Sequence, residues 1–329
     1  MNLGFWEKLK TLRQAQDKPI TILAPMANVT DFAFRQIVAE CGRPDVFYTE
    51  FVSCDGICAI GPEKFKGELY FERTESPIVI QFFGAKPENF YKCAKLAVEM
   101  GYDGIDINMG CPDRSVEKQG AGAALIKNPE LAVEIIKATQ QGAGNLPVSV
   151  KTRLGYNKVE IEEWVPKLLG TKPAALIMHA RTRKEMSKAE ANWDAIKRTG
   201  EIVRELNPKT LIIGNGDVKD LQDGCQKAKD YNIDGIMIGR GIFENPWFFN
   251  PKQKEITPKM RIGLLLEHVD LFEKLWGTNK NFDVLKKFFK IYVSGWNGAK
   301  DLRTRLMAVK NGQEAKSIVD SYIKSDMLY

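Results

Sequence analysis

Eight short β-branched or apolar runs, each followed by a stretch with helical spacing of apolar residues, constrain the fold of this 329-residue chain more than any other feature. The first four are ITILAP (20–25), VFYTEF (46–51), PIVIQFF (77–83) and DGIDIN (103–108). PVSVKTR (147–153), AALIMHAR (174–181), TLIIGNGD (210–217) and DGIMIGR (234–240) follow. Helical periodicity separates them most clearly over 31–41, 87–100, 129–140, 193–206 and 220–232. Strands alternating with helices pair in parallel through right-handed crossovers. Eight such units over about 230 residues predict a closed (β/α)8 TIM barrel rather than an open doubly wound sheet. No glycine-rich dinucleotide fingerprint follows the first run, which also disfavours the open sheet.

After NPWFFNPKQKEITP (245–258), a proline-bearing polar linker, the strand pattern stops. Helices are expected near 260–276, 282–294, 299–309 and 314–325, with Gly277, Gly295 and Gly312 near their ends. The chain therefore reads as a barrel domain over 1–248 and a small helical bundle over 249–329. At the other end, Phe5, Leu9 and Leu12 fit one face of a short helix that covers the barrel.

The formal charge of +6 is unevenly placed. Residues 252–329 hold 15 Lys/Arg against 9 Asp/Glu, so the whole basic excess belongs to the helical part. A neutral body with a basic tail suggests catalysis in one part and a polyanion contact in the other, although a solvated lysine-rich surface is the plainer reading of charge alone. No run approaches the about 18 apolar residues of a membrane span, and the opening segment lacks a signal-peptide core, so a cytoplasmic protein is expected. The six cysteines are scattered; only Cys54 and Cys58 lie close together, without a second pair or nearby histidine to complete a zinc site. No metal is expected.

In a parallel barrel the C-terminal strand ends converge on one mouth. Here they supply Pro25 and Met26, Glu50, Gln81, Asn108 with Cys111, Lys151 with Arg153, and His179 with Arg181. Asn215 with Asp217 and Gly239 with Arg240 complete the rim. Stability alone does not call for such a set of polar groups. The loops GNGD (214–217) and IGRGIFENP (238–246) occupy the usual phosphate position of such barrels, with Arg240 as countercharge. Lys151 would face the middle of a bound cofactor, where a fixed cation stabilises negative charge on a reduced flavin. Gln81 and Asn108 carry paired donors and acceptors suited to a flat heterocycle. Cys111, largely protonated at neutral pH, suits a general acid, and the following GAGAAL (120–125) suggests a hinged loop over the mouth.

These residues resemble the flavin-dependent tRNA-dihydrouridine synthases. The likeness runs from APMANVTD (24–31) through NMGCPDRSVEKQGAGAALIKNPE (108–130), VSVKTRLG (148–155), HARTR (179–183), GNGDV and GIMIGRGIFENPWFF to the helical tail. The resemblance implies FMN as cofactor and NADPH as its reductant. It implies that Pro25, Met26 and Ala27 line the isoalloxazine, with Gln81 and Lys151 on its polar edge. His179, Asn215, Gly216, Asp217, Gly239 and Arg240 would hold the ribityl phosphate side. Cys111 would protonate C5 of a uracil while hydride reaches C6, with Asn108 positioning the base and Arg153 also assigned to the substrate. Ala180 and the segment 184–193 depart from the family pattern.

The tail agrees with an RNA substrate. LKKFFKIYVSGWNGAKDLRTR (285–305) interleaves Lys286, Lys287 and Lys290 with aromatics; the cations are assigned to the tRNA backbone and the aromatics to the bundle core. A uridine inside folded tRNA must be flipped out to reach a barrel mouth, which a docking domain assists. A monomer is expected. Two other classes are weighed against this one: an FMN barrel reducing a small pyrimidine, as in dihydroorotate dehydrogenases, and a non-catalytic tRNA-binding protein. The basic tail disfavours the first, and intact Cys111, Lys151, His179 and Arg240 disfavour the second.

Overall fold

A computed structural model of the chain describes residues 2–253 and 255–324. It comprises two compact units, Met1–Val29 with Pro44–Gly239 and Thr30–Arg43 with Arg240–Tyr329.

The first unit is built on eight parallel strands, β1 (Ile20–Leu23), β2 (Phe47–Ser53), β3 (Ile78–Phe83), β4 (Gly104–Met109), β5 (Val148–Arg153), β6 (Ala175–His179), β7 (Leu211–Asn215) and β8 (Gly235–Ile238). Their order is β1-β8-β7-β6-β5-β4-β3-β2. A parallel bridge between Ile22 and Val46 closes the ring, with Leu23 N–H on the Val46 carbonyl at 3.1 Å. This is the expected (β/α)8 TIM barrel; each predicted run overlaps one strand, β2 and β4 extending beyond their runs by two residues and one. The strands are short, Val/Ile-rich and buried on both faces, as parallel strands are when helices cover the outside and side chains fill the inside.

At the N-terminal end of the barrel, Trp6 is 1% exposed and packs with Ile20, Ile22, Tyr48 and Ile213. The covering helix is present as Phe5–Ala15, but Trp6 rather than Leu12 anchors it; Leu12 is 50% exposed. Phe5 and Leu9 pack against the same core, and Leu12 does not join them. The helix Pro87–Met100 begins on proline and ends on Gly101 at φ 80, the sequence punctuation that predicts it. A helix not among the clear expectations, Ile161–Leu169, carries Pro166 inside it.

The second unit contains the helices Phe32–Cys41, Pro258–Trp276, Ala299–Ala308 and Gly312–Lys324. Ser325, the expected end of the last, lies outside the described residues. Asp31 caps the first by accepting Phe34 N–H at 3.1 Å and also takes the Trp276 indole N–H at 2.8 Å. The helix expected over 282–294 is instead two short turns, Asp283–Lys286 and Phe289–Tyr292, joined by i→i+3 bonds such as Phe288 N–H to the Leu285 carbonyl at 3.0 Å. Phe282, Leu285, Phe288 and Ile291 are all buried, and their three-residue spacing favours a tighter winding than 3.6. His268, fully buried, bonds Tyr292 through Nδ1 at 2.9 Å, and burial pushes its pKa down to about 4, so it stays neutral. Among the described residues no helix is long and apolar enough to cross a membrane, and no cluster of His, Cys, Asp or Glu is arranged to hold a metal.

Candidate active site at the barrel mouth

Strand alternation puts Asp106 and Asn108 of β4, and Ser149, Lys151 and Arg153 of β5, on the same side of the sheet, in register with Gln81 of β3. Their side chains join into one hydrogen-bonded chain. Cys111 N–H and Gly110 N–H donate to Asn108 Oδ1 at 2.9 and 3.1 Å. Asn108 Nδ2 donates to Gln81 Oε1 at 2.9 Å, and Gln81 Nε2 donates to Asp106 Oδ2 at 2.6 Å. Ser149 Oγ donates to Asp106 Oδ1 at 2.5 Å, and Tyr48 OH lies 3.3 Å from Ser149 Oγ.

Asp106 was not among the expected site residues. The signal was present: an aspartate inside the buried run GIDINM needs partners, because an unpaired buried carboxylate is prohibitively costly. Burial pushes its pKa up to about 7 against the opposing pull of Ser149, Gln81 and Lys151. Lys151 is partly buried, and burial together with Arg153 pushes its pKa down to about 8. The Lys151 side chain makes no hydrogen bond or ion pair among the described residues, while its backbone is held within β5.

Cys111 is partly buried, and burial raises its thiol above the ordinary value while Arg153 and Lys151 oppose that rise. Its loop is firmly tied. Arg153, 6% exposed, donates Nε to the Gly110 carbonyl at 2.7 Å and NH1 to the Thr182 and Met186 carbonyls at 3.1 and 2.9 Å. Arg183 Nε reaches both carboxylate oxygens of Glu117 at 2.9 Å, and Lys127 lies 4.4 Å from the Tyr156 ring. GAGAAL, expected as a hinge, is packed in this structure: Ala121, Ala123 and Leu125 are fully buried, and Ala123 N–H bonds the Cys111 carbonyl at 3.0 Å. Gly122 is required by fit, since at φ +61 an added Cβ would stand 2.8 Å from that same carbonyl.

The segment 184–193 also has a defined place. The Ala189 carbonyl accepts Arg181 Nε at 2.6 Å, Ala191 N–H donates to Asp217 Oδ2 at 3.1 Å, and Trp193 Nε1 donates to the Gly216 carbonyl at 3.0 Å. Arg181, expected at the rim, is 2% exposed and pairs with Asp217. Asn215 Nδ2 bonds the Met237 carbonyl at 2.8 Å and faces His179 in register. Pro25, Met26 and exposed Ala27 follow β1 directly, and Gly239 follows β8. An added Cβ on Gly239 would meet only Ala24 Cβ and Met26 Sδ, both at 3.9 Å, so open space adjoins these strand ends. Arg240 is exposed and opens the second unit. Lys286, Lys287 and Lys290 lie within that unit, on or beside its two short helical turns.

The family model described as dihydrouridine synthase (Dus) matches residues 22–327. The chain belongs to the dihydrouridine synthase family. Across 98% of its length it is 43% identical to a probable tRNA-dihydrouridine synthase of Staphylococcus aureus strain COL, covering 96% of that protein. It is 43% identical over the same share to probable tRNA-dihydrouridine synthase 2 of Bacillus subtilis strain 168, covering 97%. Among solved structures, the histamine dehydrogenase of Rhizobium sp. 4-9 superposes with a TM-score of 0.53 at 14% identity, over 77% of this chain and 49% of that one. A 2-naphthoyl-CoA reductase complex does so at 0.52 and 10% identity, over 71% of this chain and 49% of that one. These two likenesses concern the barrel fold. This dihydrouridine synthase family member has the sequence NMGCP at the end of β4, where the amide chain from Asp106 terminates on the Cys111 backbone.

Proposed function

We propose that the protein reduces specific uridines of tRNA to 5,6-dihydrouridine, with FMN as cofactor, NADPH as electron donor and Cys111 as proton donor. The observation that carries this reading is the placement of Cys111 at the end of β4 on a loop held by Arg153 and Asn108, with Lys151 opposite Asn108 in register and the Gln81 and Asn108 carboxamides bonded to each other.

The residues present fit FMN. The space beside Gly239 suits a phosphate approached by backbone N–H groups, and Gly216, at φ +134, gives the preceding loop a conformation that side chains rarely allow. His179, Asn215, Asp217 and Arg240 would hold the ribityl phosphate side, while Pro25, Met26 and Ala27 would line the ring and Gln81 and Lys151 its polar edge. When bound and reduced, FMN would supply hydride chemistry for C6 of the uracil. Lys151 contributes a positive charge to the mouth below pH about 8. Cys111 transfers its thiol proton to C5, so that one hydride and one proton saturate the C5=C6 bond. The raised thiol pKa keeps that proton in place at neutral pH. Asn108 orients the loop through two N–H bonds and keeps one N–H for the base; Arg153 serves the substrate by fixing the loop that faces it.

The barrel domain, 1–248, is proposed as catalytic and the helical part, 249–329, as the tRNA-binding domain of a cytoplasmic monomer, with Lys286, Lys287 and Lys290 contacting the backbone. The test is dihydrouridine content of unmodified tRNA after incubation with the FMN-loaded protein and NADPH, with free uridine monophosphate in parallel. Product in tRNA, lost in Cys111→Ala while the flavin spectrum remains, is the expected result. Turnover of free nucleotide alone would make it a small-pyrimidine reductase, and failure to take up FMN would sink both enzyme readings.

A further inference from the structure

We infer that Asp106 is the positioning residue of the mouth: its carboxylate sets the orientation of the Gln81 and Asn108 carboxamides and, through them, anchors the backbone of Cys111. The inference rests on the proposed uridine reduction for its catalytic consequence, but its structural part stands on the hydrogen-bond chain alone.

A carboxylate only accepts hydrogen bonds, and a backbone N–H only donates. Asp106 at one end of the chain therefore requires Gln81 to present Nε2, which leaves Oε1 facing Asn108. Asn108 must then present Nδ2 to Gln81, which leaves Oδ1 for Gly110 and Cys111 N–H. Both ends impose the same polarity, so each amide has one allowed orientation. Each amide nitrogen keeps a single further N–H; Gln81 is fully buried and Asn108 is 7% exposed, so Asn108 is the end of the pair nearer solvent, and it presents a donor in place of a mixed edge. Such an edge matches carbonyl oxygens of a pyrimidine or of a flavin ring.

Asp106 spans the core to do this. It is fully buried, and its second oxygen is held by Ser149 on β5. The titratable groups facing it are Lys151 on β5 and Tyr48 on β2; the Tyr48 phenol is raised well above its usual value by burial and by the Asp106 charge, and remains neutral. Protonation of Asp106 weakens it as the acceptor that fixes Gln81: a proton on Oδ2 would oppose the Gln81 amino group, and a proton on Oδ1, accepted by Ser149 Oγ, would leave Oδ2 a neutral carbonyl in place of a carboxylate. The hold on the chain to Cys111 loosens in either case.

The test uses the full-length protein with and without FMN. Asp106→Asn has nearly the same volume but no obligatory acceptor. Iodoacetamide labelling of the Cys111 peptide, followed by mass spectrometry with exposed Cys58 as internal reference, should be about tenfold faster in Asp106→Asn. FMN affinity should fall by a similar factor. In uridine reduction the wild type should show an acid limb near pH 7 in kcat, absent from Asp106→Asn, with the KM for tRNA unchanged. Gln81→Met severs the chain at its next link while keeping the carboxylate, and should reproduce the faster labelling even if Asp106→Asn folds poorly. Wild-type labelling in Gln81→Met, or wild-type labelling, FMN affinity and acid limb in Asp106→Asn, would overturn the inference. If the wild type makes no dihydrouridine, the proposed reaction fails while the labelling and FMN results still decide the role of Asp106.

Discussion

Arg153 donates its Nε to the carbonyl of Gly110 at 2.7 Å, one residue ahead of Cys111. The same guanidinium reaches Thr182 and Met186, so one buried side chain clamps two loops of the mouth. Lysine offers a point charge without the planar fork and cannot hold three carbonyls in this arrangement. Arg153→Met should lower kcat for uridine reduction by at least about tenfold, the effect of misplacing a reacting group by a fraction of an ångström to an ångström. The tRNA dissociation constant should stay within about twofold, as measured by filter binding. A loss confined to tRNA affinity would instead make Arg153 an RNA contact.

Burial of Asp106 costs the fold stability when the group ionises. Its pKa rises from 3.8 to about 7, so the folded state favours the protonated form. The associated stability is complete below pH 4 and is lost as pH climbs towards 7, a total on the order of 4 kcal/mol at 1.36 kcal/mol per unit. Asp106→Asn removes the ionisation. Urea unfolding should therefore show the variant equal to or below wild type at pH 4 and more stable than it at pH 8.5. A constant difference across that range would mean that Asp106 does not titrate in the native state.

The barrel is legible in the sequence because parallel strands buried on both faces are written as continuous β-branched runs, and all eight are. Its mouth is legible for the same reason: the residue types that end those runs are not core residues. The chain's internal wiring is less legible. Asp106 sits in register with Gln81 and Ser149 only once three strands pair, and no spacing along the sequence encodes that contact. Arg181 and the segment 184–193 become meaningful only when Asp217 folds back over them. GAGAAL illustrates the opposite error, since small residues permit both a hinge and a tightly packed turn, and here Gly122 is small to clear the Cys111 carbonyl. The Phe282–Ile291 stretch shows a limit of periodicity reading, because apolar residues three apart satisfy both 3.6 and 3.0 residues per turn over a few residues.

Lys151 titrates within an accessible range. Burial and the Arg153 charge bring it down to about 8, so its cation is present at pH 7 and mostly gone by pH 9. FMN affinity of the apo-protein, followed by quenching of flavin fluorescence, should therefore weaken as pH rises through 8. Lys151→Met should bind FMN more weakly at pH 7 and lose that dependence. An identical pH profile in the variant would assign the effect to another group.

The three lysines proposed for tRNA differ in their surroundings. Lys286 is paired with Asp283 at 2.6 Å, and Lys287 lies 5.1 Å from the Phe288 ring centroid. Lys290 is exposed and has no ion pair among the described residues. A lysine already neutralised by an aspartate releases fewer counterions from RNA than one that meets phosphate alone. Lys290→Gln should reduce the slope of log K against log salt by about 0.7–0.9, the value for one phosphate contact. Lys286→Gln should reduce it less, because the Lys286 charge is already partly neutralised by Asp283 and displaces fewer counterions. Both variants should keep their flavin spectrum. Equal slopes for wild type and Lys290→Gln, measured by fluorescence anisotropy from 50 to 200 mM salt, would remove this turn from the tRNA contact.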